Sequence, residues 1–249
     1  MKQESKLLGV LGGLGPMSTV YFCELLVSHT LAEKDADHID MIVSSRASTP
    51  DRTDFILGKS DVDPLPVMIE EANRLTRAGA ELLVIPCNTA HYFYNGLKQA
   101  CGTPMLNIIE ETVRHLAGCG IHRFGLLATE GTVRAGAYQS ICEPLGLSCV
   151  TPDAEHQALI SSMIYDRIKQ NRPIDRDALE KVILHMRAGG CERLVLGCTE
   201  LSLLKKQGLD DGLFVDSLEV LAWRSIIACG KRPTGFSGDF PSRIEEVRT

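Results

Sequence analysis

No apolar run in this 249-residue chain approaches membrane-spanning length, so no helix crossing a bilayer is expected. The opening MKQESKLLGVLGG runs from a short apolar stretch straight into a glycine turn and lacks the long apolar region and cleavage site of an export signal. Excess positive charge is also missing. Twenty-six Lys and Arg stand against 32 Asp and Glu, for a formal net charge of −6, and the basic residues are dispersed, which argues against a nucleic-acid partner. Among nine cysteines there is no CxxC pair and no zinc-type ligand spacing, so no metal is expected. An odd count without an export signal fits reduced thiols in the cytoplasm. What these absences leave is a chain with 44% hydrophobic content, enough to bury a substantial core, and small molecules as the expected partners. Cys23, Cys101, Cys119, Cys142, Cys149, Cys191 and Cys229 read as small buried hydrophobes.

The other two cysteines end a phrase that the chain uses twice. RAGAELLVIPCNTAH (Arg77 to His91) and RAGGCERLVLGCTEL (Arg187 to Leu201) each end a helix at a glycine-containing corner, run an apolar strand and stop at a cysteine. Aligned backward from that cysteine, Leu83-Val84-Ile85 falls on Leu194-Val195-Leu196, Glu81 on Glu192 and Cys87 on Cys198. The chain reads as two related halves, each delivering one thiol from the end of a buried strand. Two thiols flanking one small molecule would suit stereochemical inversion at a carbon acid.

Strands are expected at 7–11, 41–43, 103–108, 124–128, 148–150 and 214–216 besides the two that end at cysteines. They alternate with helical stretches at 17–32, 64–78, 133–145, 154–170, 175–188 and from 217 to 227. This alternation predicts an α/β fold of two pseudo-symmetric units, each a short parallel sheet flanked by helices, with ligands beyond the C-terminal ends of the strands. The expected division is 1–112 plus 214–249 for a first unit with a C-terminal return and tail, and 113–213 for a second unit. The polar, turn-rich stretch 231–243 is expected to be a mobile or partner-contacting tail.

Cys87 in Pro86-Cys87-Asn88-Thr89-Ala90-His91 and Cys198 in Gly197-Cys198-Thr199-Glu200 stand where a strand gives way to a helix. Partial positive charge and unpaired N–H groups at a helix N-terminus are expected to lower both thiols from their ordinary pKa of about 8.5 and ready them for proton exchange. The same groups, with Asn88, Thr89 and Thr199, suit a carboxylate held between them. The plainer alternative is that these residues only cap helices after buried cysteines. Gly12-Gly13-Leu14-Gly15 is a poor dinucleotide fingerprint, because the third glycine of a GxGxxG frame falls on Ser18; a tight turn opening a helix fits better. Arg52, in Thr49-Pro50-Asp51-Arg52-Thr53, is placed to clamp a carboxylate at two points, and Arg46 nearby would suit a dianionic substrate; a solvated loop arginine is the plain alternative. His91 returns to the face of Cys87 on a helix, which allows a Cys/His hydrolase dyad, a two-ligand metal fragment or a purely structural histidine.

Together these motifs resemble those of the cofactor-independent aspartate/glutamate racemase superfamily, most closely its aspartate racemase branch, over nearly the whole chain. Gly12-Gly13-Leu14-Gly15-Pro16 resembles the opening glycine loop and Pro50-Asp51-Arg52-Thr53 the arginine loop, while the segments from Pro86 to His91 and from Gly197 to Glu200 resemble the two cysteine motifs. The resemblance implies an active site in the cleft between two α/β units, a homodimer, and interconversion of L- and D-aspartate, or glutamate, with no cofactor. It implies Cys87 and Cys198 as the acid/base pair, and Asn88, Thr89 and Thr199 on the α-carboxylate with help from Thr129 and Thr132. Arg52 and Lys169 would hold the distal carboxylate. Where relatives typically show an Asn-rich segment this chain has Ser44-Ser45-Arg46-Ala47-Ser48, so Arg46 is expected at the mouth of the site, retuning side-chain preference. The competing readings are a dicarboxylate cis–trans isomerase or decarboxylase of the same superfamily, a Cys87/His91 thiol hydrolase, and a non-catalytic amino-acid-binding protein; architecture alone does not choose among them.

Overall fold

The structure, a computed structural model, describes residues 5–209, 212–237 and 240. The first half runs β1 (Leu8–Gly12), α1 (Pro16–Ser28), β2 (Met41–Ser45), α2 (Arg52–Ile56), α3 (Leu65–Arg77), β3 (Leu82–Val84), α4 (Tyr94–Ala100) and α5 (Ile108–Gly118). The second runs β4 (Arg123–Leu127), α6 (Glu130–Ala135), α7 (Ala137–Cys142), β5 (Ser148–Val150), α8 (Ala154–Ser162), α9 (Arg176–Ala188), β6 (Arg193–Leu196), β7 (Phe214–Asp216) and α10 (Ser217–Ala228). Two parallel sheets result, in the orders β2-β1-β3 and β5-β4-β6-β7. This is the α/β architecture with helix-flanked parallel sheets that the alternation predicts.

The repeated phrase is repeated in space. α3 and α9, which precede the two corners, are each 13 residues long. The corners turn on Gly79 (φ 102°) and Gly190 (φ 78°), a backbone conformation open to glycine at little cost. Glu81 and Glu192 then do the same job: the Glu81 carboxylate accepts from the Leu7 N–H at 3.0 Å, and that of Glu192 from the His122 and Arg123 N–H groups at 2.9 and 2.8 Å. Each glutamate thereby fixes the start of its own central strand. A Cβ at Gly9 would come within 2.6–3.3 Å of Leu83, Ala80 and Leu75, and one at Gly125 within 2.5–3.4 Å of Leu194, Cys191 and Met186. Those two sets are aligned residue for residue in the repeat, so the halves share their packing as well as their order.

One core joins the halves. Leu8, Val10, Leu82 and Val84 of the first sheet and Phe124, Leu126, Val195 and Val215 of the second bury against α1, α5 and α10 in a single cluster. The alternate residues of each sheet face outward onto separate layers, Leu11, Leu83 and Ile85 toward α3 and Leu194 and Leu196 toward α9.

Four local expectations are corrected. The strand at 103–108 is reduced to a parallel bridge between Leu83 and Met105. The helix at 133–145 breaks at Gly136 (φ 64°). The helix at 154–170 ends at Ser162 and continues as a π-helical turn, Met163–Arg167, and a 3-10 turn, Ile168–Gln170. Strand β7 pairs with β6, so residues 214–216 belong to the second sheet rather than to the first unit; the parallel edge of Leu194–Leu196 is the partner the chain meets there. The described part of the tail is packed rather than loose. Pro233 bridges to Thr30, Phe236 stacks on His29 with ring centroids 4.2 Å apart, and Phe240 lies against His115 and Trp223. Residues 1–4 of the expected first unit and 238–239 and 241–249 of the expected tail lie outside the described residues.

Candidate active site

The loops that follow β1, β2, β3, β4 and β6 line one small cleft of about 290 Å³ including its mouth. Parallel strands end on the same side of a sheet, and ligands of such folds gather there. The lining contains Leu14, Asp51 to Thr53, Cys87 to Thr89, Thr129, Tyr165, Lys169 and Cys198 to Glu200. Eight of the nine expected site residues, Arg52, Cys87, Asn88, Thr89, Thr129, Lys169, Cys198 and Thr199, therefore meet in it. Thr132 stands behind them: the hydroxyls of Thr89, Thr129 and Thr132 lie 2.9, 2.9 and 3.1 Å apart.

The polar side chains are held from both halves. The Asn88 amide donates to Ser217 Oγ at 2.9 Å and accepts from the Tyr138 hydroxyl at 2.7 Å, and Thr199 Oγ1 donates to the Pro86 carbonyl at 3.1 Å. Arg52 opens α2, whose N-cap is Asp51, and only 8% of it is exposed. Its Nη1 donates to the Thr49 and Pro50 carbonyls at 3.2 and 2.9 Å, while its buried Nε has no partner among the described residues. Among the ion pairs of the described residues none includes Arg52. A buried cation with one edge unsatisfied suits an anionic ligand, because burial without compensation is costly. The π-helical turn and the 3-10 turn after it supply Tyr165 and Lys169 to the lining: the Tyr165 hydroxyl donates to Thr53 Oγ1 at 2.9 Å, and Lys169 Nζ lies 4.6 Å from the Tyr165 ring centroid. π-Turns of this kind recur at functional sites, where they re-aim side chains.

The thiols depart from expectation. Cys87 and Cys198 are 6% and 5% exposed, and burial raises both above the ordinary cysteine range, Cys198 well above it. Each thiol leads into a short 3-10 helix, Thr89–Phe93 or Leu201–Gln207, in place of the expected α-helix, and one backbone N–H, from Ala90 or Glu200, faces each sulfur. Against burial, Arg52 pulls Cys87 down and Lys169 pulls down both, while Glu200 pushes both up.

Arg46 is turned away from the expected place. Its guanidinium pairs with Glu70 and Glu71 at 2.8 Å each, beside β2 and α3, and it does not line the cleft. His91 is a structural group. Its Nδ1 bonds the Cys87 carbonyl at 2.8 Å, its Nε2 accepts from the Ile108 N–H at 3.2 Å, and burial pushes its pKa down to about 4. Both nitrogens are used, so it is no base for Cys87. A metal-type grouping of Asp153, His156 and His185 lies on the second unit outside the cleft, with Asp153 already capping α8 and bonding His156 Nδ1 at 2.7 Å.

Five residues of the cleft lining were not among the expected site residues: Leu14, Asp51, Thr53, Tyr165 and Glu200. The signal for Glu200 was in the repeat: it aligns with Thr89, the one point where a carboxylate replaces a hydroxyl two residues past the thiol. Tyr165 had no such signal, because only the π-turn aims it.

A model of the Asp/Glu/hydantoin racemase family matches residues 11–224. The chain belongs to that family. This racemase-family chain is 27% identical over 221 residues to the broad-specificity amino-acid racemase RacX of Bacillus subtilis, across 87% of its own length and 95% of the relative's. In structure it resembles the aspartate racemase of Picrophilus torridus, with a TM-score of 0.77, 28% identity and coverage of 92% and 96% of the two chains. An aspartate racemase homologue from Pyrococcus horikoshii gives 0.72, 25%, and 92% and 99%.

Proposed function

We propose that this amino-acid racemase interconverts L- and D-aspartate, with glutamate as a second substrate, by proton transfer between Cys87 and Cys198 and without a cofactor. The observation that carries the reading is that two thiols from aligned points of the repeat line one cleft with a buried arginine whose Nε edge has no partner among the described residues. In this mechanism one thiolate removes the α-proton and the other thiol protonates the opposite face, which inverts the centre. Charge building on the α-carboxylate is met by Asn88, Thr89 and Thr199, with Thr129 and Thr132 orienting Thr89. Arg52 and Lys169 hold the distal carboxylate. Because burial raises both thiols, the rate should climb with pH past neutrality as thiolate accumulates. A homodimer belongs to the same reading, supported by the exposed apolar residues Met17, Val20 and Val27 on α1 and Leu31 beyond it.

The test is α-proton exchange of L- and D-aspartate and of L- and D-glutamate in deuterated buffer, with chiral analysis and no added cofactor. Exchange with inversion, fastest for aspartate, is expected. Exchange without inversion would overturn the two-base scheme, and no exchange with any of the four would overturn the substrate assignment and return attention to unsaturated dicarboxylates.

A further inference from the structure

Glu200 is buried to the same degree as the two thiols, at 6% exposure, and has no role in the two-thiol mechanism. The Cys198 thiol donates to its Oε2 at 3.1 Å, and its Oε1 lies 4.0 Å from Lys169 Nζ. The cleft is built around this carboxylate: a Cβ at Gly15 would come within 2.2 Å of Oε1, so the glycine loop leaves the space that Glu200 fills. Among the described residues no carboxylate accepts from the Cys87 thiol, which lies within the field of the Arg52 guanidinium. We propose that Glu200 is a positioning residue that holds Cys198 in its protonated form, so that Cys87 is the thiol ionised at the start of turnover. This rests on the two-base reading and adds an order to it.

In the resulting cycle the Cys87 thiolate takes the α-proton, forming its S–H bond, and the electron pair left on the α-carbon delocalises into the carboxylate. The Cys198 S–H bond then breaks, its proton goes to the opposite face of the carbon, and Cys198 is left as a thiolate. That thiolate faces the Glu200 carboxylate, and Lys169 is the cation that offsets the pair. Before the next turnover in the same direction Cys87 must lose its proton to solvent and Cys198 must regain one. Starting from the other enantiomer requires the less populated arrangement, with Cys198 ionised. The groups that face Cys198 and Glu200 are Lys169 and Tyr165 from the turns after α8 and Cys87 across the cleft, with Arg52 bearing on Cys87 and Asp51 on Tyr165.

The test reads the thiols directly. The full-length protein and its Glu200→Gln variant are alkylated with iodoacetamide from pH 6 to 10, and each cysteine peptide is quantified by mass spectrometry. In the unaltered protein Cys87 should gain reactivity at a lower pH than Cys198. In Glu200→Gln the Cys198 rate should rise about tenfold at pH 8, because the neighbouring negative charge that disfavours its thiolate is gone, with less than about threefold change at Cys87. Cys142 and Cys229, fully buried outside the cleft, report any loss of fold, and the unaltered protein's own two profiles decide the matter if the variant unfolds. Coincident profiles for Cys87 and Cys198, or an unchanged ratio in a folded Glu200→Gln variant, would overturn the proposal. Racemisation is assayed on aliquots of the same preparations taken before alkylation. Thiols that behave as expected without racemisation would sink the racemase reading while leaving the Glu200 contact standing, and the reverse outcome would sink only the role of Glu200.

Discussion

The cysteine corners of the two halves begin alike and diverge within two residues. After Cys87 come Asn88 and Thr89, and Thr89 joins a hydroxyl cluster with Thr129 and Thr132. After Cys198 come Thr199 and Glu200, and the carboxylate turns back onto the thiol. One position later in each half the aligned residues are Ala90 and Leu201, both buried, and then His91 and Ser202, which tie the corner to the start of α5 and to the cap of α10. The backbone scaffold was duplicated, and the charge around each sulfur was not. Inversion needs one acid and one base at any moment, so two thiols in identical surroundings would compete for the same proton state.

The sharpest way to break the comparison is to remove each thiol in turn. Cys87→Ala and Cys198→Ala should each lower racemisation by about 10²- to 10⁴-fold, the contribution typical of a positioned acid or base, as measured by chiral chromatography. Full turnover in either variant would mean that the halves are not partners. The arginines offer a second contrast. Arg52→Lys should raise the KM for aspartate by about 10- to 100-fold through loss of charge-assisted two-point contact, whereas Arg46→Lys, beside Glu70 and Glu71, should leave it within about twofold. Equal effects in steady-state kinetics would contradict the placement of Arg46 outside the cleft.

The shared packing is tested by Gly9→Ala and Gly125→Ala. Each places a methyl group within 3 Å of an aligned leucine and should cost about 1–3 kcal/mol in urea unfolding. A large cost at one and none at the other would show that the repeat in sequence is not a repeat in packing. The smallest expected effect concerns the groups that anchor α5 and α10. Asp216 is buried, with Oδ2 unpartnered, and burial with Glu219 nearby raises its pKa to about 7, above an unfolded value of about 4. Its contribution to stability is therefore full below about pH 4 and is lost as pH rises toward 7. His91 has the opposite sign: its folded pKa of about 4 lies below an unfolded value of about 6.5, so its contribution is present above 6.5 and lost as pH falls. Asp216→Asn, which keeps an acceptor for Ser202 and for the Leu218 N–H, should raise the urea midpoint more at pH 8 than at pH 5. A uniform shift at both values would show that Asp216 is ionised throughout.

The amino-acid sequence by itself determined the parallel α/β halves and the two cysteine ends. Both arise from local pattern: an apolar run with a glycine corner before it and a polar turn after it fixes a strand and its exit. Glu81 and Glu192 were aligned by the repeat, but their bonds at the starts of β1 and β4 join residues 74 and 70 positions apart and form only in the folded chain. Tertiary structure decided what no local pattern holds. The length of the helix before Lys169 depended on a π-turn that brings Tyr165 onto Thr53, 112 residues away in sequence. The direction of Arg46 depended on Glu70 and Glu71 lying on a neighbouring helix, which offered ion pairs outside the cleft. Strand β7 joined the second sheet because β6 left it a parallel edge, and Phe236 found His29 just beyond α1 while Phe240 found His115 on α5 and Trp223 on α10. Glu200 lies between the two cases. Its position next to the thiol was written in the repeat, but that it turns onto the sulfur depended on the space left by Gly15 and the cation of Lys169, contacts that form only when distant segments close around one cleft.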